Sequence, residues 1–171
     1  MINMGYSMII WEVLSIFGDV QFWVGAALTS TLFLFTIPKR GKKHIAWFVF
    51  LVLPAVVMSW MVTGGLKEIF KIPRPCLGLS FCPTTYSFPS GHATVIFAAV
   101  TTLSLYYKDK RLAFLLYILS GFVALSRIIL GVHRLEDVMI GLLIGIVIGI
   151  LVQKAYDNYK KDVLELVSEI K

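Results

Sequence analysis

Ser126-Arg127-Ile128-Ile129-Leu130-Gly131-Val132-His133-Arg134-Leu135-Glu136-Asp137 joins two apolar runs, at about 112–130 and 132–153. Each run is long enough to approach the ~30 Å of a bilayer core at ~1.5 Å per helical residue. The stretch therefore reads as a short turn between two membrane-spanning helices. It carries an arginine, a histidine and a carboxylate at the depth where a helix end meets lipid headgroups. If helix begins near residue 132, His133 and Asp137 lie four apart on one face. The carboxylate then orients one ring nitrogen and leaves the other for a substrate. Arg127 adds a fork suited to a phosphate or a carboxylate.

Working outward, the same pattern repeats. The 171 residues are 58% hydrophobic and only 15% charged, with a mean hydropathy of +0.83. That exceeds what a soluble core needs and indicates an all-α polytopic membrane bundle of five or six transmembrane helices. Expected spans are 18–37, 45–66, 92–107, 112–130 and 132–153. Residues 2–17 are expected as either an interfacial helix or a short helix packed on the bundle. Pro54 is an expected kink in the second span. The whole chain reads as one membrane domain, 1–171, with its core at 18–153 and an amphipathic tail at 154–171. The apolar face of that tail is Val163, Leu166, Val167 and Ile170. Gly141, Gly145 and Gly149, four apart, predict close helix packing, within one bundle or between two copies.

The formal charge of +6 does not indicate nucleic acid, because the cations sit in short clusters between spans. The turns at 39–44 and 108–111, together with the tail, hold eleven of the sixteen Lys and Arg. Placed in the cytoplasm, they put the C-terminus inside and the 67–90 connection and the 130–133 turn outside. His44, among four basic residues, reads as interfacial solvation. No charged n-region precedes the first apolar residues, so no cleavable leader is expected. Cys76 and Cys82 form either a small disulfide loop or two free thiols.

The expected outer face collects the remaining chemistry. Lys67 and Arg74 are seven apart and share a side if the second helix continues that far. Lys71 faces elsewhere. Ser90 is a candidate N-cap of the third span, Gly91 permits close backbone approach, and His92 follows with a transferable proton. Three cations suit the equatorial oxygens of a transferred phosphoryl group, and two imidazoles can divide attack from leaving-group protonation. No carboxylate cluster is present to hold a metal pair, which favours metal-free cleavage with no cofactor.

These segments together resemble the type 2 phosphatidic acid phosphatase superfamily, the lipid phosphate phosphatases related to acid phosphatases and vanadium haloperoxidases. Its three signatures match as Lys-x6-Arg-Pro at 67–75, Pro-Ser-Gly-His at 89–92 and Ser-Arg-x5-His-x3-Asp at 126–137. The resemblance implies that His133 is the nucleophile of a phosphohistidine intermediate and Asp137 its orienting partner. It implies that His92 protonates the leaving oxygen and then activates water. Lys67, Arg74, Ser90, the Gly91 amide and Arg127 would hold the phosphoryl oxygens. The partners expected are membrane lipids, with a polyprenyl (undecaprenyl-type) diphosphate as leading substrate and phosphatidylglycerophosphate or phosphatidic acid as rivals. A noncatalytic lipid-phosphate-binding membrane protein is the alternative of another class.

Overall fold

The computed structural model describes residues 4–33 and 47–169. The basic turn at 39–44 therefore lies outside the described residues, as do the side chains of Val163, Leu166, Val167 and Ile170. Six α-helices are present among the described residues: α1 (Met4–Ser15), α2 (Val20–Phe33), α3 (Leu53–Phe70), α4 (Gly91–Tyr107), α5 (Lys110–Ile129) and α6 (Leu135–Glu169).

Three helical segments are long and apolar enough to cross a bilayer on their own: Phe48–Phe70, Lys110–Ile129 and Leu135–Lys160. Met8–Gly18 and Val20–Ser30, bent by 58° at their junction, make a fourth if taken as one broken span. The structure thus supplies three or four such segments where five or six were expected. A single 3-10 turn, Ile16–Gly18, makes the bend. Trp23 Nε1 donates to the Phe17 carbonyl at 2.8 Å and ties the corner to α2. The segment expected to stop at residue 17 is thus the first arm of a helical elbow.

Pro54 shapes α3 from its start. Proline lacks an N–H and crowds the carbonyl four residues earlier. Phe48–Val52, immediately before α3, widens into a π-helical turn. The tail does not form a separate helix, since α6 runs unbroken through 154–169.

α4 is the axis of the bundle. It has only 17 residues, ~26 Å at the helical rise. Every position from Ala93 to Thr102 is buried, so the helix is enclosed all round rather than along one stripe. Its hydroxyls turn back onto its own backbone, Thr94 Oγ1 to Ser90 O at 2.9 Å and Thr101 Oγ1 to Phe97 O at 2.6 Å. α3, α5 and α6 pack around it.

The glycine stripe of α6 lies against α4, within one bundle. A Cβ added at Gly141 would stand 2.6 Å from the Ser90 carbonyl, and one at Gly145 would stand 2.5 Å from that of Thr94. Backbone cannot yield as a side-chain tip can. Gly145→Leu is therefore expected to cost about 1–3 kcal/mol of stability. Thermal unfolding in detergent checks this, and an unchanged melting temperature would refute the packing.

Candidate active site

α3 delivers Lys67 in its last turn and then stops, because Lys71 adopts φ 48 and its amide closes on the Lys67 carbonyl at 2.9 Å. Arg74 is therefore not on the helix with Lys67, as the spacing suggested. Pro73 and the left-handed Lys71 send the chain into an irregular segment that folds back, with Ser87 N donating to Ile72 O at 2.8 Å. The two cations converge through that loop instead. Lys67 Nζ donates to the carbonyls of Tyr86 and Ser87, the latter at 3.2 Å. Arg74 is buried, with Nε on Thr85 O at 2.7 Å and Nη2 on Thr85 Oγ1 at 2.9 Å.

A disulfide between Cys76 and Cys82 closes the middle of the same connection, with Cα atoms 5.5 Å apart. It resolves the two possibilities left open by the sequence.

His133 is held by a turn rather than by the helix expected to start near 132. α5 ends at Ile129, and Gly131 takes φ 67, a left-handed conformation that glycine adopts without penalty. The reversal returns the Val132 and His133 amides to the Arg127 carbonyl, each at 3.2 Å. α6 then begins at Leu135. Asp137 is the third residue of that helix, and its Oδ2 reaches back to the Arg134 amide at 2.9 Å. This is the acidic half of a capping box, which places a carboxylate at the helix start for structural reasons.

The same oxygen lies 3.4 Å from His133 Nδ1 and accepts a short hydrogen bond from Ser87 Oγ. On the other side of the ring, Arg74 Nη1 approaches His133 Nε2 at 3.1 Å and the Val132 carbonyl at 3.0 Å. A guanidinium only donates. Nε2 therefore carries the lone pair, and the proton sits on Nδ1 facing Asp137. Burial, with Arg74, Lys67 and Arg127 adding to it, pulls the His133 pKa down to about 4 against the opposing hydrogen bond from Asp137. The ring is therefore neutral at pH 7. Arg74 is likewise lowered by burial, with Asp137 opposing, and stays a cation.

Ser90 caps α4 from an extended backbone, its Oγ accepting from Ala93 N at 3.5 Å. Its own amide donates to the Asp137 carbonyl at 2.9 Å, which fastens the start of α4 to the start of α6. Gly91 and His92 follow on the first turn. His92 lies within electrostatic range of Arg127, His133, Arg74 and Lys67, and Arg127 is buried with Nε lacking a partner among the described residues. All eight residues singled out from the sequence thus meet at one end of the bundle.

Three further contributors carried no signal in the sequence. Ser87 and Thr85 lie in the proline-rich connection, where only folding reveals which hydroxyl meets Asp137 or Arg74. Gly18 read as a boundary between apolar segments, yet a Cβ there would stand 2.8 Å from His92 Cβ. The elbow of α1 and α2 is packed directly on that histidine. Among the described residues, no group of three or more His, Cys, Asp or Glu side chains is placed to hold a metal ion.

Residues 48–161 match the model of the PAP2 superfamily. The chain is 31% identical over 134 residues to an undecaprenyl-diphosphatase of Sulfolobus acidocaldarius, covering 77% of this chain and 62% of that protein. It thus spans about three fifths of that relative's length. The fold is similar to that of a PAP2 type phosphatidylglycerolphosphate phosphatase from Bacillus subtilis, with a TM-score of 0.74 at 21% identity over 92% of this chain and 79% of that one. LpxE of Aquifex aeolicus gives a TM-score of 0.68 at 25% identity over 87% and 86%.

Proposed function

This chain belongs to the PAP2 superfamily, and from that premise we propose that it is a membrane phosphatase acting on a lipid phosphate or diphosphate through a phosphohistidine on His133. The observation that carries the reading is the pair of contacts on one buried ring, Arg74 at Nε2 and Asp137 at Nδ1. They give a neutral imidazole its lone pair on the side of the cations and its proton on the side of the carboxylate.

Nε2 attacks the terminal phosphorus, and the bond to the bridging oxygen breaks as the Nε2–P bond forms. For that lone pair to be free, Arg74 first moves its donors from Nε2 to the equatorial oxygens, which Lys67, Arg127, Ser90 and the Gly91 amide also hold. Asp137 stabilises the cationic phosphoimidazole, much as the acid of a catalytic triad stabilises its imidazolium. His92, entering as the imidazolium once the anionic phosphate has offset the cations around it, gives one proton to the departing oxygen and is left neutral. It next takes a proton from water, whose oxygen attacks phosphorus, and the Nε2–P bond breaks to release inorganic phosphate and restore His133.

The leading substrate is a polyprenyl diphosphate, which leaves as the monophosphate. The resemblance to the Sulfolobus diphosphatase supports this choice. α4 is read as an inner fifth crossing, with the site extracytoplasmic and the C-terminus cytoplasmic. The Cys76–Cys82 disulfide supports that orientation, since such bonds persist in oxidising compartments. A side-by-side panel of polyprenyl diphosphate, phosphatidylglycerophosphate and phosphatidic acid tests the assignment through kcat/KM for inorganic phosphate release. The diphosphate is expected to lead by at least about tenfold. Preference for a glycerolipid would replace the substrate, and no release from any of the three would remove the phosphatase.

A further inference from the structure

A cavity of about 330 Å3 lies between α1, α4 and α5, with Trp23 of α2 at its side. Its inner wall is Ile96, Val100, Ser120 and Val123, all buried. The Ser120 hydroxyl is turned away onto the Leu116 carbonyl at 2.8 Å, and no polar atom faces the cavity. Phe17 and Leu119, both exposed, form its rim.

Its position relative to the site is fixed by helix periodicity. Ile96 is four residues beyond His92 on α4, and Val123 is four before Arg127 on α5. One end of the cavity thus lies a single turn from both residues. The far end, at Leu103 and Leu116, is ~10 Å deeper along α4. The elbow joins the two features, since Phe17 lines the cavity while Gly18 touches His92.

Resting on the hydrolytic reading above, we propose that this cavity binds a single hydrocarbon chain of the substrate, admitted from the bilayer between α1 and α5. A wholly apolar cavity more than twice the ~150 Å3 that suffices for benzene takes hydrocarbon in preference to water. The helices α1 and α2 lie outside residues 48–161. The cavity is thus shared between the matched region, which supplies its walls on α4 and α5, and the elbow, which supplies Leu14, Phe17 and Trp23. A second cavity of about 450 Å3 beside Lys67 and Gly91 also carries Glu68 and Thr63. Its lining mixes those polar groups with Trp60 and Met61, which suits a headgroup and the first carbons attached to it.

The test compares wild type and Ser120→Phe, which fills the cavity from α5, on a long-chain prenyl diphosphate and a short water-soluble alkyl diphosphate. The ratio of kcat/KM, long over short, is expected to fall at least about tenfold. Phe114→Leu, on the exposed face of α5, is expected to leave that ratio unchanged. An unaltered ratio in folded Ser120→Phe overturns the tail site while leaving the phosphatase standing. If wild type hydrolyses neither substrate, the hydrolytic reading fails and the tail site with it. Should Ser120→Phe not fold, photolabelling of wild type with a single-chain phosphate bearing a mid-chain diazirine decides. Adducts within 96–103 and 116–123 support the proposal, whereas adducts confined to Trp60 and Met61, or to Phe114 and Leu115, overturn it.

Discussion

His133→Ala is expected to lower phosphate release from a lipid diphosphate by at least about four orders of magnitude, with the protein still folded. On the proposed mechanism the ring supplies the nucleophilic atom of the new bond, so no neighbouring group compensates for its loss. The fold does not depend on it to the same degree. Asp137 keeps the Arg134 amide and the Ser87 hydroxyl as donors, and Arg74 keeps Thr85 and the Val132 carbonyl. Substrate binding is therefore expected to survive, and so is the melting temperature to within a few degrees. With terminally labelled diphosphate, the wild type is expected to yield an acid-labile, base-stable phosphoenzyme on quenching, and the variant none. Turnover within tenfold of wild type would place the nucleophile elsewhere.

What the sequence disclosed about this site was its composition, and what it concealed was the path that assembles it. His133, Asp137 and Arg127 stood together in one short stretch because a turn between two spans leaves little room for anything else. The pairing of His133 with Asp137 was read correctly, but the helix start was misjudged, because helix was expected from 132. Gly131 instead takes a left-handed conformation, and the helix starts at Leu135. The pairing of His133 with Asp137 survives since the carboxylate reaches back as a cap, a role available only at the start of a helix. Lys67 and Arg74 show the same lesson. Seven residues suggested two turns of one face, whereas Lys71 and Pro73 end the helix and the loop supplies the convergence. Ser87 was invisible, because nothing in a run of prolines and serines says which hydroxyl will meet a carboxylate fifty residues later.

The fold shows a parallel division. Apolar length and composition announced the bundle, and the glycine spacing on α6 announced a close neighbour. That α4 would be that neighbour, buried all round, follows from its Ala and Thr content only once three other helices surround it. The elbow at Gly18 required knowledge of His92, seventy-four residues away. Long-range contacts between a break in one helix and the first turn of another leave no periodic trace.

His92→Ala is expected to separate the two chemical steps. With a lipid diphosphate, the variant is expected to lose about two to four orders of magnitude in kcat, the usual contribution of general acid–base catalysis. The loss reflects a leaving oxygen that departs unprotonated and a water that attacks unassisted. A phosphate ester of a strongly acidic phenol changes the first step alone, because its leaving group needs no proton. The variant is then expected to release about one equivalent of phenol per protein in a burst and to stall with phosphate on His133. Wild type is expected to turn over without such a stall, because on the proposed mechanism His92 activates the water that clears the intermediate. Gly18 bears on the outcome, since the elbow packs against the His92 side chain and backbone and limits where that ring can stand. A variant that shows no burst with the acidic phenol would deny His92 its part in the second step. A variant fully active on both substrates would deny it both, leaving Lys67, Arg74 and Arg127 to discharge the leaving group by charge alone.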